Sequence, residues 1–177
     1  MLIAPASTLS IKAANIPFRM KEEYLQDRAL FADITNRFAR DKGMDIELIT
    51  PESGAQRIHN ILLESRAVFF EYFMTDVHGH KRNREALLQC NRELSRFLSA
   101  VLKDLDEETS VLIVSDHGNS EDLNVGNHTM NDIPLIIFSQ DEEFLQGARK
   151  CRRLSDTYYL VMDYFGVDHS RLRGRLG

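Results

Sequence analysis

Apolar residues recur at intervals of three and four along much of this chain, and that spacing predicts amphipathic helices. The clearest example covers residues 83–105, where Leu94, Phe97 and Val101 fall on one face. The same spacing predicts shorter helices over residues 5–15, 51–64 and 154–165, and one or two more over residues 21–42. Thr50 suits the N-cap of the 51–64 helix, with Pro51 at its first position. Gly43 and Gly166 are natural helix ends.

Three short apolar runs break the helical pattern and predict buried strands over residues 67–74, 111–114 and 133–138. The first two runs are separated by the predicted 83–105 helix. A strand, a helix and a second strand form a βαβ unit, whose strands are parallel. The predicted fold class is therefore α/β, a mostly parallel sheet flanked by helices.

Acidic residues and histidines follow two of these predicted strands. Asp76 follows the first strand and Asp116 the second, and the carboxyl ends of parallel strands share the sheet edge where ligands bind. The segment between residues 114 and 133 also carries His117, Glu121 and His128. Loops longer than about 12–15 residues are uncommon in compact domains, and ordered ones are usually functional. We therefore expect the functional site at this edge.

Composition narrows the function classes. The 177 residues suffice for one domain with a real core, and the formal net charge of -5 argues against a nucleic-acid-binding protein, which needs a basic face. Cys90 and Cys151 lie far apart with no metal-binding spacing, as expected of reduced thiols in a cytoplasmic protein. No apolar run approaches the roughly 20 residues of a membrane span.

The candidate ligands are carboxylates and imidazoles. Asp76 and His80 are four residues apart and can converge on one ion, whereas the adjacent Asp116 and His117 can point to different ions. His128 lies on the same long loop. This mixed set suits zinc or manganese better than calcium or magnesium. Two ions about 3.5–4 Å apart can bind both the attacking and the leaving oxygen of a phosphoryl group.

Each of these features also has a structural explanation. His80 could cap the following helix, and His128 could be an ordinary loop residue. The Asp116–His117 pair could be structural, and Glu121 and Asp122 read better as loop residues than as ligands. Their common position at one predicted sheet edge favours the metal site.

Three segments carry a resemblance to a known family: TDVHGH at residues 75–80, SDHGNSEDL at 115–123 and NHTMNDIPL at 127–135. They resemble the carboxyl-terminal metal motifs of the cofactor-independent phosphoglycerate mutase and phosphopentomutase branch of the alkaline phosphatase superfamily, and especially its bacterial metalloenzyme-domain proteins. The match covers about residues 66–166. The resemblance implies two divalent ions, with Asp76, His80 and His128 holding one, and Asp116 and His117 contributing to the second.

The chain departs from the family in one respect. Those enzymes carry a metal-binding Asp in a D-G-x-G setting and a later Ser or Thr nucleophile, and neither motif occurs here, so no catalytic residue is assigned. We expect residues 1–65 to be a helical segment that follows a missing amino-terminal part, and residues 66–177 to be a metal-binding α/β core.

The expected function is thus two-metal phosphoryl transfer or phosphate ester hydrolysis on a phosphorylated small molecule, with this chain inactive alone. A homo-oligomer or a complementing amino-terminal chain is an expected partner. The alternative is a non-catalytic metal-binding or interaction domain derived from such an enzyme.

Overall fold

The computed structural model describes residues 6–169. The chain forms two compact units, one containing the residues up to Asp104 together with Ser120–Gly126, the other Leu105–Asn119 and the residues from Asn127 onward. The first unit contains helices α1 (Ala6–Ala13), α2 (Lys21–Leu25), α3 (Arg37–Asp41), α4 (Pro51–Leu62), α5 (Met74–His80) and α6 (Arg84–Lys103). The second contains strands β1 (Val111–Val114) and β2 (Leu135–Phe138), then helices α7 (Glu142–Ala148) and α8 (Leu154–Tyr164).

The core of the first unit forms where α4 packs against α6. Its buried members are Ile34, Ala55, Ile58, Phe97 and Val101. Both helices begin as their sequences predict, because Thr50 Oγ1 accepts a hydrogen bond from the Ser53 amide at 3.1 Å and Asn83 Oδ1 accepts one from the Ala86 amide at 3.1 Å. The amphipathic patterns of these two helices therefore correspond to real packing faces.

The segment between α2 and α3 is irregular, which resolves the prediction of one or two helices over residues 21–42 into two short ones. Asp27, Ile34 and Asn36 adopt left-handed backbone angles, which end a helix. Asn36 is fully buried, and its amide donates to the Tyr24 hydroxyl and to the Glu47 carbonyl, both at 2.6 Å. Ile34 is buried through this irregular segment rather than through a helix face.

The predicted strand over residues 67–74 is wrong. Residues 67–73 are irregular and α5 already begins at Met74. Within the described chain, residues 67–72 make no backbone-to-backbone hydrogen bond. Val68, Phe70 and Tyr72 pack against the core while Phe69 is 87% exposed. The side chains alternate as in a strand, but no strand within residues 6–169 pairs with this backbone.

The sheet of the described residues therefore differs from the predicted parallel one. It consists of β1 and β2, which pair antiparallel with Val111 opposite Phe138 and Val114 opposite Leu135. The fold is mixed, with many helices and one small antiparallel sheet. No helix within residues 6–169 has both the length and the apolar character that a membrane span requires.

Helix α8 matches its prediction within one residue, and Gly166 follows it with a φ of +65°. Helix α7 was not predicted from the apolar spacing. It begins at Asp141, whose carboxylate accepts a hydrogen bond from the Phe144 amide at 2.9 Å, and two glutamates occupy its first turn. The acidic N-cap was thus the sequence signal from which α7 could have been predicted.

Candidate metal centre

Helix α5 brings two of the predicted ligands of the first unit together. Asp76 and His80 lie one turn apart, and Asp76 Oδ1 is 3.4 Å from His80 Nε2. Side chains four residues apart lie on the same face of a helix, so the D-x-x-x-H spacing predicted this proximity. About a third of the Asp76 side chain and two fifths of the His80 side chain are exposed, so solvent reaches both.

The other ring nitrogen of His80 fixes which way the imidazole presents its lone pair. His80 Nδ1 lies 2.9 Å from the Gly126 carbonyl oxygen. A carbonyl oxygen can only accept a hydrogen bond, so Nδ1 carries the proton. In the neutral ring the Nε2 lone pair then faces the Asp76 carboxylate, and two acceptors face each other unless a proton or a cation lies between them.

This pair of acceptors fits a divalent ion. Two ligand atoms about 2.1 Å from a tetrahedral zinc are themselves about 3.4 Å apart. The measured Asp76–His80 separation is 3.4 Å. Because a ligating histidine usually donates its other ring N–H to a carbonyl or carboxylate, the Gly126 hydrogen bond completes the expected arrangement.

The second unit brings together Asp116, His117 and His128, all on the chain that connects β1 with β2. The rings of His117 and His128 stack with centroids 3.5 Å apart and planes 18° apart. His117 Nε2 is 3.4 Å from Asp116 Oδ2. Imidazole binds metal in its neutral form, so the stacked rings beside a carboxylate offer nitrogen and oxygen ligands together.

Hydrogen bonds within the second unit hold this group in place. Gly118 and Thr129 form an isolated antiparallel bridge, in which the Thr129 amide donates to the Gly118 carbonyl at 2.9 Å. The Ser115 hydroxyl donates to the His117 carbonyl at 2.7 Å. His117 Nδ1 is buried and has no hydrogen-bond partner among the described residues. Carboxylate and imidazole atoms are thus arranged as a donor set with a buried nitrogen still available.

Other residues near the candidate ligands take different positions. His78 lies on α5, and burial, together with the nearby charge of Lys81, lowers its pKa. Asp122 accepts hydrogen bonds from the amide and side chain of Asn124, both at 2.9 Å, and so supports a turn. Gly126 was not identified from the sequence, because no local pattern shows which carbonyl a histidine 46 residues away will contact.

A family model described as the Metalloenzyme superfamily matches residues 31–169, which is most of the chain. The chain belongs to the metalloenzyme superfamily. This superfamily member is similar to the 2,3-bisphosphoglycerate-independent phosphoglycerate mutase of Ehrlichia canis, at 29% identity over 118 residues, or 58% of this chain and 24% of that protein. It is also similar to the phosphopentomutase of Levilactobacillus brevis, at 27% identity over 119 residues, or 64% of this chain and 30% of that protein. No solved structure gives a significant match.

The comparisons confirm the resemblance carried by the three motifs. A second phosphopentomutase, from Alkaliphilus metalliredigens, is 22% identical over 115 residues, covering 64% of this chain and 30% of that relative. The aligned region thus spans 24% to 30% of the length of these relatives. All of the predicted ligands lie inside the matched residues 31–169.

Proposed function

We propose that this chain is the metal-binding part of a two-metal enzyme that transfers or hydrolyses a phosphoryl group on a small molecule. The observation that carries the proposal is the Asp76–His80 pair, whose two acceptor atoms are 3.4 Å apart while Gly126 holds the second histidine nitrogen. Family membership and the similarity to two mutases support phosphoryl transfer as the reaction class.

The proposed ligand assignment follows the resemblance. Asp76, His80 and His128 bind one ion, and Asp116 and His117 contribute to the other. The bound ions, manganese or zinc, would neutralise charge on the phosphoryl oxygens and polarise the phosphorus–oxygen bond. The protein side chains would fix the positions of the ions.

The proposal leaves the nucleophile to another part of a longer or complementing cytoplasmic protein. No Ser or Thr of this sequence lies in the family's nucleophile setting, and the aligned region spans less than a third of each relative. We therefore propose that the chain binds metal but does not turn over substrate by itself.

The proposal also includes the parallel sheet of the family. Residues 67–72 have alternating side chains and backbone groups without hydrogen bonds to other described backbone. Unpaired backbone of this kind pairs readily with another strand. In the proposed complete enzyme this segment becomes a strand of the sheet, and a complementing chain or a second copy supplies its neighbour.

Binding of inorganic phosphate tests the reaction class without requiring the nucleophile. Phosphorus NMR of phosphate should broaden when manganese-loaded protein is added, and the His128→Ala variant should weaken the effect at equal total manganese. His59→Ala, which removes a histidine of α4 outside the ligand set, is the matched control and should behave as the wild type.

A parallel assay of p-nitrophenyl phosphate with manganese or zinc should show no turnover above free metal. Absence of phosphate binding by metal-loaded protein would contradict the proposed reaction class. Turnover that disappears in His128→Ala would instead show that the chain contains its own nucleophile.

A further inference from the structure

Gly126 lies between two side chains that flank the end of helix α5. Its carbonyl oxygen is 2.9 Å from His80 Nδ1. Arg82 Nη2 and Nε lie 3.0 and 3.1 Å from the position that a β-carbon would occupy on Gly126. A β-carbon at position 126 would therefore require the guanidinium to shift by a few tenths of an ångström.

The backbone angles of Gly126 do not explain the glycine. Gly43 and Gly166 have positive φ values, whereas Gly126 does not. The methyl group of an alanine at position 126 would meet the Arg82 guanidinium in a tight contact and displace it slightly. Glycine thus allows the guanidinium its present close approach to the backbone.

Arg82 is held in an unfavourable backbone conformation. Its φ is +52°, and its amide donates to the Gly79 carbonyl at 2.9 Å, which ends α5. A left-handed conformation is unfavourable for a residue with a β-carbon. None of the ion pairs found among the described residues involves the Arg82 guanidinium. The side chain of this strained residue lies against Gly126.

We infer that Arg82 and Gly126 are positioning residues that set the tautomer of His80. Arg82 packs on Gly126 and restrains its carbonyl, the carbonyl holds the proton on Nδ1, and the Nε2 lone pair is thereby directed at the side where Asp76 lies. This inference rests on the proposed function for its consequence, namely that the positioned Nε2 binds a metal ion. Neither residue touches the ion or the substrate.

The direction in which metal affinity changes distinguishes a positioning role of Arg82 from simple charge repulsion. An arginine near a cation site repels the cation, so removing only its charge should strengthen metal binding. Loss of the restraint on Gly126 should weaken binding instead. Mutation of the hydrogen-bond partner of a metal-binding histidine typically lowers metal affinity about 10–100-fold.

Arg82→Gly is the most informative variant because glycine suits the φ of +52° and relieves the backbone while removing the guanidinium. We expect its melting temperature to stay equal or rise and its zinc affinity, measured by calorimetry, to fall about 10-fold. Lys81→Gln, which removes a neighbouring charge without touching Gly126, is the control and should keep or raise the affinity. An Arg82→Gly affinity equal to or above the wild type would overturn the inference.

Gly126→Ala provides a second test by the same route. It should also lower zinc affinity, and in the Arg82→Gly background it should add little, because the methyl group then has no guanidinium to displace. Fully additive losses in the double variant would contradict the coupled contact.

Nitrogen NMR of His80 in the metal-free protein tests the contact independently of metal binding. The wild type should show the Nδ1-protonated tautomer, and Arg82→Gly should shift the population toward the Nε2-protonated form. A wild-type protein with this tautomer but no zinc affinity would refute the proposed function and keep the contact. A zinc-binding wild type with Nε2 protonated would refute the contact and keep the function.

Discussion

The two units differ in how much apolar surface they bury. In the first unit Ile34, Ala55 and Phe97 are between 0% and 3% exposed. In the second, Phe144 and Leu160 are the only apolar side chains of the described part that count as buried, at 6% each, and Ile136 of β2 is 45% exposed. The candidate ligands occur in both units. Buried apolar side chains are thus concentrated in one unit, whereas the candidate ligands are divided between the two.

The largest stability difference should come from the two cores. Phe97→Ala removes a ring that packs against Phe70 with centroids 5.5 Å apart, and we expect the free energy of unfolding to fall by about 3–5 kcal/mol. Leu160→Ala should lower it by about 2 kcal/mol, because its surroundings are more open. Urea denaturation followed by circular dichroism measures both. A larger loss for Leu160→Ala would contradict the comparison.

Two arginines, one in each unit, should show a smaller difference in their contribution to the free energy of unfolding. Arg57 is 8% exposed, donates to the Tyr24 and Ala29 carbonyls at 2.8 and 3.0 Å, and pairs with Asp27 at 2.6 Å. Arg57→Ala leaves these groups unsatisfied and should lower the free energy of unfolding by about 2–3 kcal/mol. Arg152 of the second unit is exposed, and Arg152→Ala should change it by less than about 0.5 kcal/mol. Equal losses of unfolding free energy in the two variants, measured by denaturant titration, would contradict the expected effect of burial.

The N-caps should give a still smaller effect. Thr50→Ala removes the acceptor for the Ser53 amide and should lower the free energy of unfolding by about 1 kcal/mol. Asp141→Ala removes the corresponding acceptor for the Phe144 amide in the second unit. Because α7 has only seven residues and is weakly packed, we expect this loss chiefly as faster amide exchange within α7. Unchanged exchange in α7 would contradict this expectation.

The smallest effect concerns acid pH and α8. The amides of Arg152 and Arg153 donate to Asp156 at 2.7 and 2.9 Å, and they hold the pKa of its carboxyl below the ordinary value. A lowered folded-state pKa stabilises the helix above the unfolded pKa, and the contribution disappears as pH falls below about 4 through the folded pKa. Amide exchange of α8 should therefore accelerate in that range for the wild type, and Asp156→Asn should remove the pH dependence. An unchanged profile in the variant would contradict the assignment.

The sequence predicted the helices whose signals all lie within one short stretch of the chain. Helices α4, α6 and α8 combine a long apolar stripe with a cap or a following glycine, and they match within two residues at either end. The strand over residues 67–74 failed because alternation describes which side chains are buried, whereas a strand also needs a neighbour. The irregular turn around Asn36 depends on a buried amide whose partners lie 11 and 12 residues away.

In the candidate site too, some contacts follow from local sequence spacing and others do not. The proximity of Asp76 and His80 follows from helical spacing, and that of Asp116 and His117 from adjacency. Stacking of His117 on His128 depends on the Gly118–Thr129 bridge, which no short pattern reveals. The Gly126 contacts join parts of the chain more than forty residues apart, so neither the glycine nor Arg82 carried a signal.

We propose that this chain binds divalent metal through Asp76, His80, Asp116, His117 and His128. Elemental analysis of the purified protein, equilibrated with zinc or manganese and then desalted, tests it most directly. The account predicts bound metal in the wild type and in His59→Ala, with a clear loss in both His80→Ala and His128→Ala. Metal content in either ligand variant equal to that of the wild type would contradict the account for that residue, and no bound metal in the wild type would contradict it altogether.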